Sequence, residues 1–124
     1  MDSPYEEIGG ADAVRALCDR FYDAMDRLPH AAVVRAMHPD DLTPSRQKFY
    51  EFLSGWMGGP QLYVKSHGHP RLRMRHMPFA IDASAAEAWL GCMAVALEEV
   101  PDEALRERLW QSFCRVAQHM LNRE

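Results

Sequence analysis

Gly68-His69-Pro70-Arg71-Leu72-Arg73-Met74-Arg75-His76-Met77-Pro78-Phe79 crowds two histidines, three arginines and two prolines around one apolar spacing. Cations interleaved with Leu72, Met74, Met77 and Phe79 suit an anionic, partly apolar cofactor. His76 stands at the centre of the stretch, flanked by Met74, Met77 and Phe79, and Pro78 stops any helix two residues later. A neutral imidazole held by packing is a good metal ligand.

His76 admits two readings. It is an axial ligand to haem iron, one ring nitrogen on the metal and the other donating to a backbone carbonyl, or it is an ordinary core or surface histidine. Local sequence leaves both open. Arginine and carboxylate pair through two parallel hydrogen bonds, so Arg71, Arg73 and Arg75 include candidates for haem propionates, although three alternate residues cannot all point inward. A non-haem site built from His67, His69 and His76 lacks a neighbouring carboxylate and a helical His-x-x-x-His face. No serine stands in a nucleophile elbow.

Outward from this stretch the chain is patterned for helices. Val14, Leu17, Cys18, Phe21, Met25 and Leu28 recur at three and four residues, which predicts an amphipathic helix from about Ala11 to Leu28 after the Gly9-Gly10 break. A short apolar piece, Ala31 to Met37, ends at His38-Pro39-Asp40-Asp41. Thr43 or Ser45 is the expected cap of the next helix, with Pro44 in its first turn; Phe49, Phe52, Leu53 and Trp56 form its apolar face and Gly58-Gly59-Pro60 ends it. Gln61 to His67 reads as a loop or short helix, and Pro70 to His76 shows no clean period. Asp82 or Ser84 caps a helix carrying Ala85, Trp89, Cys92, Met93 and Ala96 that ends near Val100-Pro101. Leu105, Leu109, Phe113, Val116 and Met120 mark a last helix from about Asp102 to Leu121. The expectation is an all-α single domain over residues 1–124, with an irregular centre between Pro60 and Phe79 that a flat cofactor would order.

A net charge of −4 provides no basic stripe for nucleic acid. No apolar run is long enough to span a bilayer, and the acidic start lacks the parts of a signal peptide, so a cytoplasmic protein with no membrane partner is expected. Cys18, Cys92 and Cys114 form no Cys-x-x-Cys pair; reduced thiols are the default, and without Cys-x-x-Cys-His a haem would be held noncovalently. Tyr22 and Trp89 lie on or beside apolar stripes and their polar atoms need partners when buried. Either could instead be aromatic filler, and His38 on its own reads as a loop histidine.

With these residues in view, the chain resembles the group II truncated haemoglobins along nearly its whole length. The Gly68 to Phe79 segment carries the family pattern, whose last histidine is the proximal haem ligand and falls here on His76. Gly9-Gly10 and Gly58-Gly59 match the family's paired glycines. Phe21-Tyr22 matches the Phe-Tyr pair whose hydroxyl points at bound ligand, Ala88-Trp89-Leu90 matches the segment with the class tryptophan, and Met37-His38-Pro39 supplies the histidine version of the first pocket corner. Ser45 falls at the distal gate, and Phe49 and Leu53 at the apolar distal wall.

The resemblance implies a two-over-two helical sandwich around haem b. His76 would be the metal ligand, and Tyr22, His38 and Trp89 would donate to the distal ligand. Lys48, Phe49, Leu53, Tyr63, His69, Arg73, Met74 and Phe79 would contact the cofactor, with Lys48, Tyr63 and Arg73 on the propionates. Function follows as reversible binding of dioxygen, nitric oxide, carbon monoxide, sulfide or peroxide, with a reductase as partner, in a monomer or homodimer. Two alternatives stay open: a redox enzyme of peroxidase or nitric oxide dioxygenase type, and a helical interaction module without haem.

Overall fold

The amphipathic stripes become helices, and their buried sides meet. In the computed structural model, which describes residues 2–123, eight α-helices follow one another: α1 Pro4–Ile8, α2 Ala11–Arg27, α3 Ala32–Arg35, α4 Thr43–Trp56, α5 Leu62–His67, α6 Leu72–His76, α7 Ala83–Leu97 and α8 Glu103–Met120. A 3-10 turn, Pro29–Ala31, precedes α3, and the described residues contain no strand. Among the described residues no helix is long and apolar enough to cross a membrane.

Helix α2 packs on both α4 and α7, and α7 packs on α8, so α2 with α4 lies over α7 with α8. This is the expected two-over-two arrangement. Val14, Leu17, Cys18, Phe21 and Met25 of α2 join Cys92, Met93, Leu105, Leu109 and Phe113 in one core cluster. Burying a Leu, Met or Phe side chain contributes roughly 1.5–3 kcal/mol, enough in sum to offset the ordering of the four long helices.

Helix starts are set locally. Asp82 accepts the Ala85 N–H at 2.9 Å and Asp102 accepts that of Leu105 at 3.1 Å, satisfying donors that a helix leaves open. At α4 the cap differs from expectation. Thr43 already belongs to the helix and neither it nor Ser45 caps; instead Asp41 Oδ1 accepts the Thr43 N–H at 3.0 Å. The sequence pattern also gave no sign of α1, a five-residue helix begun by Ser3 and Pro4. It packs close to the end of α4: Tyr5 N–H donates to Met57 O at 2.9 Å, and any side chain at Gly59 would strike the Tyr5 ring.

Between Pro60 and Phe79 lie two short helices joined by a turn, with no buried residue in either. Gly68 (φ 78°) and Arg71 (φ 44°) both adopt left-handed backbone there, and the Arg71 N–H donates to His69 Nδ1 at 3.1 Å. An arginine in this region is uncommon and costs on the order of 1 kcal/mol. The segment is therefore held from outside rather than by its own burial.

Candidate functional site

Helix α6 ends on His76, one turn after Leu72. The contact at 2.7 Å between His76 Nδ1 and the Leu72 carbonyl oxygen fixes the ring's chemistry, because a carbonyl only accepts. Nδ1 must carry the proton, and in the neutral ring Nε2 keeps its lone pair. Burial first, and the nearby His38 second, push the His76 pKa below its usual value, while the Leu72 bond opposes them. The neutral, ligating form is favoured.

Tyr22 on α2 is only 5% exposed. Burial is the main cause of a raised pKa for its phenol, with Cys18 adding to the rise and Arg46 opposing it, so the hydroxyl keeps its proton and is a donor. The ring is fixed by edge-to-face packing on Phe21 at 5.0 Å, His38 at 5.8 Å and Phe49 at 5.9 Å. Trp89 on α7 packs against Phe21 at 5.3 Å and Phe49 at 6.3 Å. Phe49 thus stands between the tyrosine and the tryptophan.

His38 closes the corner beside Tyr22. Its Nδ1 is committed to the Val34 carbonyl at 2.8 Å, so the neutral ring presents Nε2 as an acceptor. It donates from Nε2 only as an imidazolium. This separates it from Tyr22 and Trp89, with which the sequence had grouped it as a donor.

The Tyr22 hydroxyl, the Trp89 indole N–H and the Nε2 atoms of His38 and His76 have no hydrogen-bond partner among the described residues. None of the described side chains leaves a buried polar atom orphaned, so these four atoms must reach accessible space. Of the five large exposed apolar residues among those described, four, Val64, Met74, Met77 and Phe79, lie in or beside α5 and α6. A ring nitrogen ready to ligate, two unpartnered donors and an uncovered apolar margin fit a flat apolar group with one metal centre. Haem has that form.

The other expected contacts divide. Phe49 and Tyr63 are half-buried, with Tyr63 edge-on to Phe52 at 6.4 Å, and Met74 and Phe79 are exposed beside His76. Leu53, expected on the distal wall, is instead fully buried, turned into the core one helical turn past Phe49. The ammonium of Lys48 is exposed and free of protein partners among the described residues. Arg73 points its guanidinium at the Leu121 carbonyl, 3.3 Å away, and His69 serves the turn at Arg71. His67 pairs with Glu51 at 3.3 Å; among the described residues no three His, Cys, Asp or Glu side chains gather as a metal cluster.

Two features escaped the sequence reading. Arg46 ties α4 to α2 through Asp19 at 3.1 Å and Asp23 at 2.8 Å, with its guanidinium 5.7 Å from the Tyr22 ring centre. Only the i, i+4 spacing of the two aspartates on α2 hinted at a shared cation. A groove of about 420 Å³ lined by Trp56, Met57, Leu72, Leu109 and Val116 runs between α4, α6 and α8, and it contains none of the four free polar atoms.

Residues 3–122 match the family model for bacterial-like globins. The chain belongs to this family, in its group II truncated class. A group 2 truncated haemoglobin of Bacillus subtilis is 40% identical over 98% of this chain and 90% of its own length. The cold-adapted truncated haemoglobin of Pseudoalteromonas haloplanktis superposes with a TM-score of 0.97 at 48% identity, covering 99% of this globin and 100% of that chain. The group II two-on-two haemoglobin of Agrobacterium tumefaciens gives 0.96 at 47% identity, with 100% and 97% covered. This globin is accordingly a haem-binding protein of two-over-two fold.

Proposed function

We propose that the globin holds haem b noncovalently and binds dioxygen and other small ligands reversibly. The observation that carries this is the His76 ring, whose Nδ1–H is taken by the Leu72 carbonyl so that Nε2 is left free to ligate, together with the unpartnered hydroxyl and indole N–H of Tyr22 and Trp89. Haem would be held by His76 and would supply an iron able to bind a diatomic ligand. Tyr22 and Trp89 donate to that ligand, whose electron-rich end gains most from fixed donors in a dry site. Phe49 and Tyr63 would pack against the apolar parts of the haem, and Met74 and Phe79 would cover it beside His76. Lys48 is the propionate partner with an uncommitted charge, and Arg73 joins it only by giving up Leu121. A reductase that returns the iron to the ferrous form is the partner this use requires.

The position of His38 supports a second reading, peroxide chemistry. With Nδ1 donating to Val34, its Nε2 is a base beside Tyr22 and can take a proton from hydrogen peroxide. The imidazolium so formed can return that proton, and the Tyr22 phenol, kept protonated by burial, can donate a hydrogen bond.

Absorption spectra of the ferric, ferrous and carbonmonoxy forms test the first reading. A Soret band that shifts with each state and is lost or severely weakened in His76→Ala is expected; a colourless protein that takes up no added haem would reject it. Peroxide turnover no faster than free haemin, unchanged in His38→Phe, would remove the second.

A further inference from the structure

We infer that Asn122 is a positioning residue for His76, clamping the proximal segment to the C-terminal end of α8; the inference rests on the haem-binding reading above. Its side-chain Nδ2 donates to the His76 carbonyl at 3.2 Å and to the Phe79 carbonyl at 3.0 Å, and its Oδ1 accepts the Ile81 N–H at 2.8 Å. Two carbonyls and one N–H leave the amide a single orientation. The main chain repeats the tie: Asn122 N–H and Arg123 N–H both donate to the Ile81 carbonyl, at 2.9 and 3.1 Å. Leu121 leaves helical geometry (ψ 127°), which lets Asn122 turn back from α8 onto the segment after α6.

The clamp matters because α6 has little order of its own. Five residues are too few for a self-supporting helix, none of them is buried, and the preceding Arg71 is in left-handed backbone. The imidazole is aimed by two bonds of different origin. Its Nδ1–H holds the Leu72 carbonyl within the same turn, and its own carbonyl is held from α8 by Asn122. Releasing the second leaves the turn intact but free to tilt as a unit, so the direction of Nε2 varies while the fold persists. Arg73 adds a weaker tie of the same kind, to the Leu121 carbonyl.

Asn122→Asp keeps an acceptor for Ile81 and replaces the two donors by a second acceptor facing carbonyls. Asn122→Ala removes all three bonds. The test compares these variants with the unmodified protein, all loaded with haem, by resonance Raman of the ferrous iron–histidine stretch and by haem transfer to excess apomyoglobin. Both variants should take up one haem, show a shifted and broadened iron–histidine band, and lose haem about tenfold faster, as expected for the loss of two net hydrogen bonds. If Asn122→Ala does not fold, Asn122→Asp carries the same comparison. An unchanged band and unchanged haem loss in the variants, or a drop in melting temperature with the band unmoved, would overturn the inference and leave the haem reading standing. Failure of the unmodified protein to take up haem would overturn both.

Discussion

His76 and Leu72 are joined by a hydrogen bond of 2.7 Å from the ring Nδ1–H to the backbone carbonyl, so the tautomer of the imidazole and its rotation within the turn are set by a single neighbour one turn away. A carbonyl partner is uncharged, and it leaves Nε2 with the donor strength of a neutral imidazole. The ferrous iron–histidine stretch should accordingly lie at the neutral-imidazole frequency, below that of haem proteins whose proximal histidine faces a carboxylate. In His76→Gly, added imidazole should restore the Soret band only at high concentration, since the free ring lacks the Leu72 bond and the tether to α6. A band at the carboxylate-paired frequency would contradict this assignment.

Tyr22 and Trp89 differ from His38 in what they offer a ligand. Tyr22→Phe preserves the edge-to-face packing on Phe21 and Phe49 and removes only the hydroxyl. Each net hydrogen bond is worth roughly 0.5–1.5 kcal/mol, so Tyr22→Phe and Trp89→Phe should each speed dioxygen dissociation by roughly two- to tenfold, and the double variant by more than either. Stopped-flow dissociation rates of all three variants decide it; single variants indistinguishable from the unmodified protein would remove both residues from the donor set.

Burial pushes the Cys18 thiol up from 9.0 to about 12, with Asp19 adding to the shift and Arg15 and Arg46 opposing it. The folded chain therefore keeps a proton that the unfolded chain gives up above about pH 9. The associated stability is intact below pH 9 and is lost as pH rises towards 12, by at most about 4 kcal/mol over that window. Thermal unfolding between pH 8 and 11 should show a falling alkaline limb that Cys18→Ala flattens. Parallel limbs in the two proteins would assign the fall to other groups, the buried phenol of Tyr22 first among them.

The segment from Pro60 to Phe79 has no fully buried side chain and holds Val64, Met74, Met77 and Phe79 in an exposed apolar margin. Removal of haem should loosen this stretch before α2, α7 or α8, because local opening is easiest where fewest apolar contacts are lost. Amide hydrogen exchange on the haem-free and haem-loaded forms measures it. Equal protection over residues 60–79 in both forms would count against cofactor-dependent ordering.

The long helices were legible because their information is local and periodic. The α2 stripe of Val14, Leu17, Cys18, Phe21 and Met25 is buried as its spacing requires, and Asp82 caps α7 where it was expected. His76 was singled out by its motif. What escaped depends on partners distant in sequence: Asn122 reaches back to His76, Arg46 to Asp19 and Asp23, and α1 exists by leaning on the end of α4. The role of His38 was missed for a different reason. Its donor is consumed by the Val34 carbonyl, a pairing that appears only once the turn has formed. Leu53 illustrates the limit of an apolar stripe, which says that a residue is covered but not by what.

The ring cluster around Tyr22 has a thermodynamic consequence. Phe21, His38 and Phe49 pack edge to face with the phenol, so its ring is held in place by the folded chain itself. A flexible donor would lose rotational freedom at the moment of capture, and that entropy would be subtracted from the bond it forms. Here the loss was incurred when the chain folded. Ligand residence time is in this sense a property of the core as well as of the pocket: trimming Phe21 or Phe49, neither of which offers a hydrogen bond, should shorten it by restoring the phenol's freedom to turn.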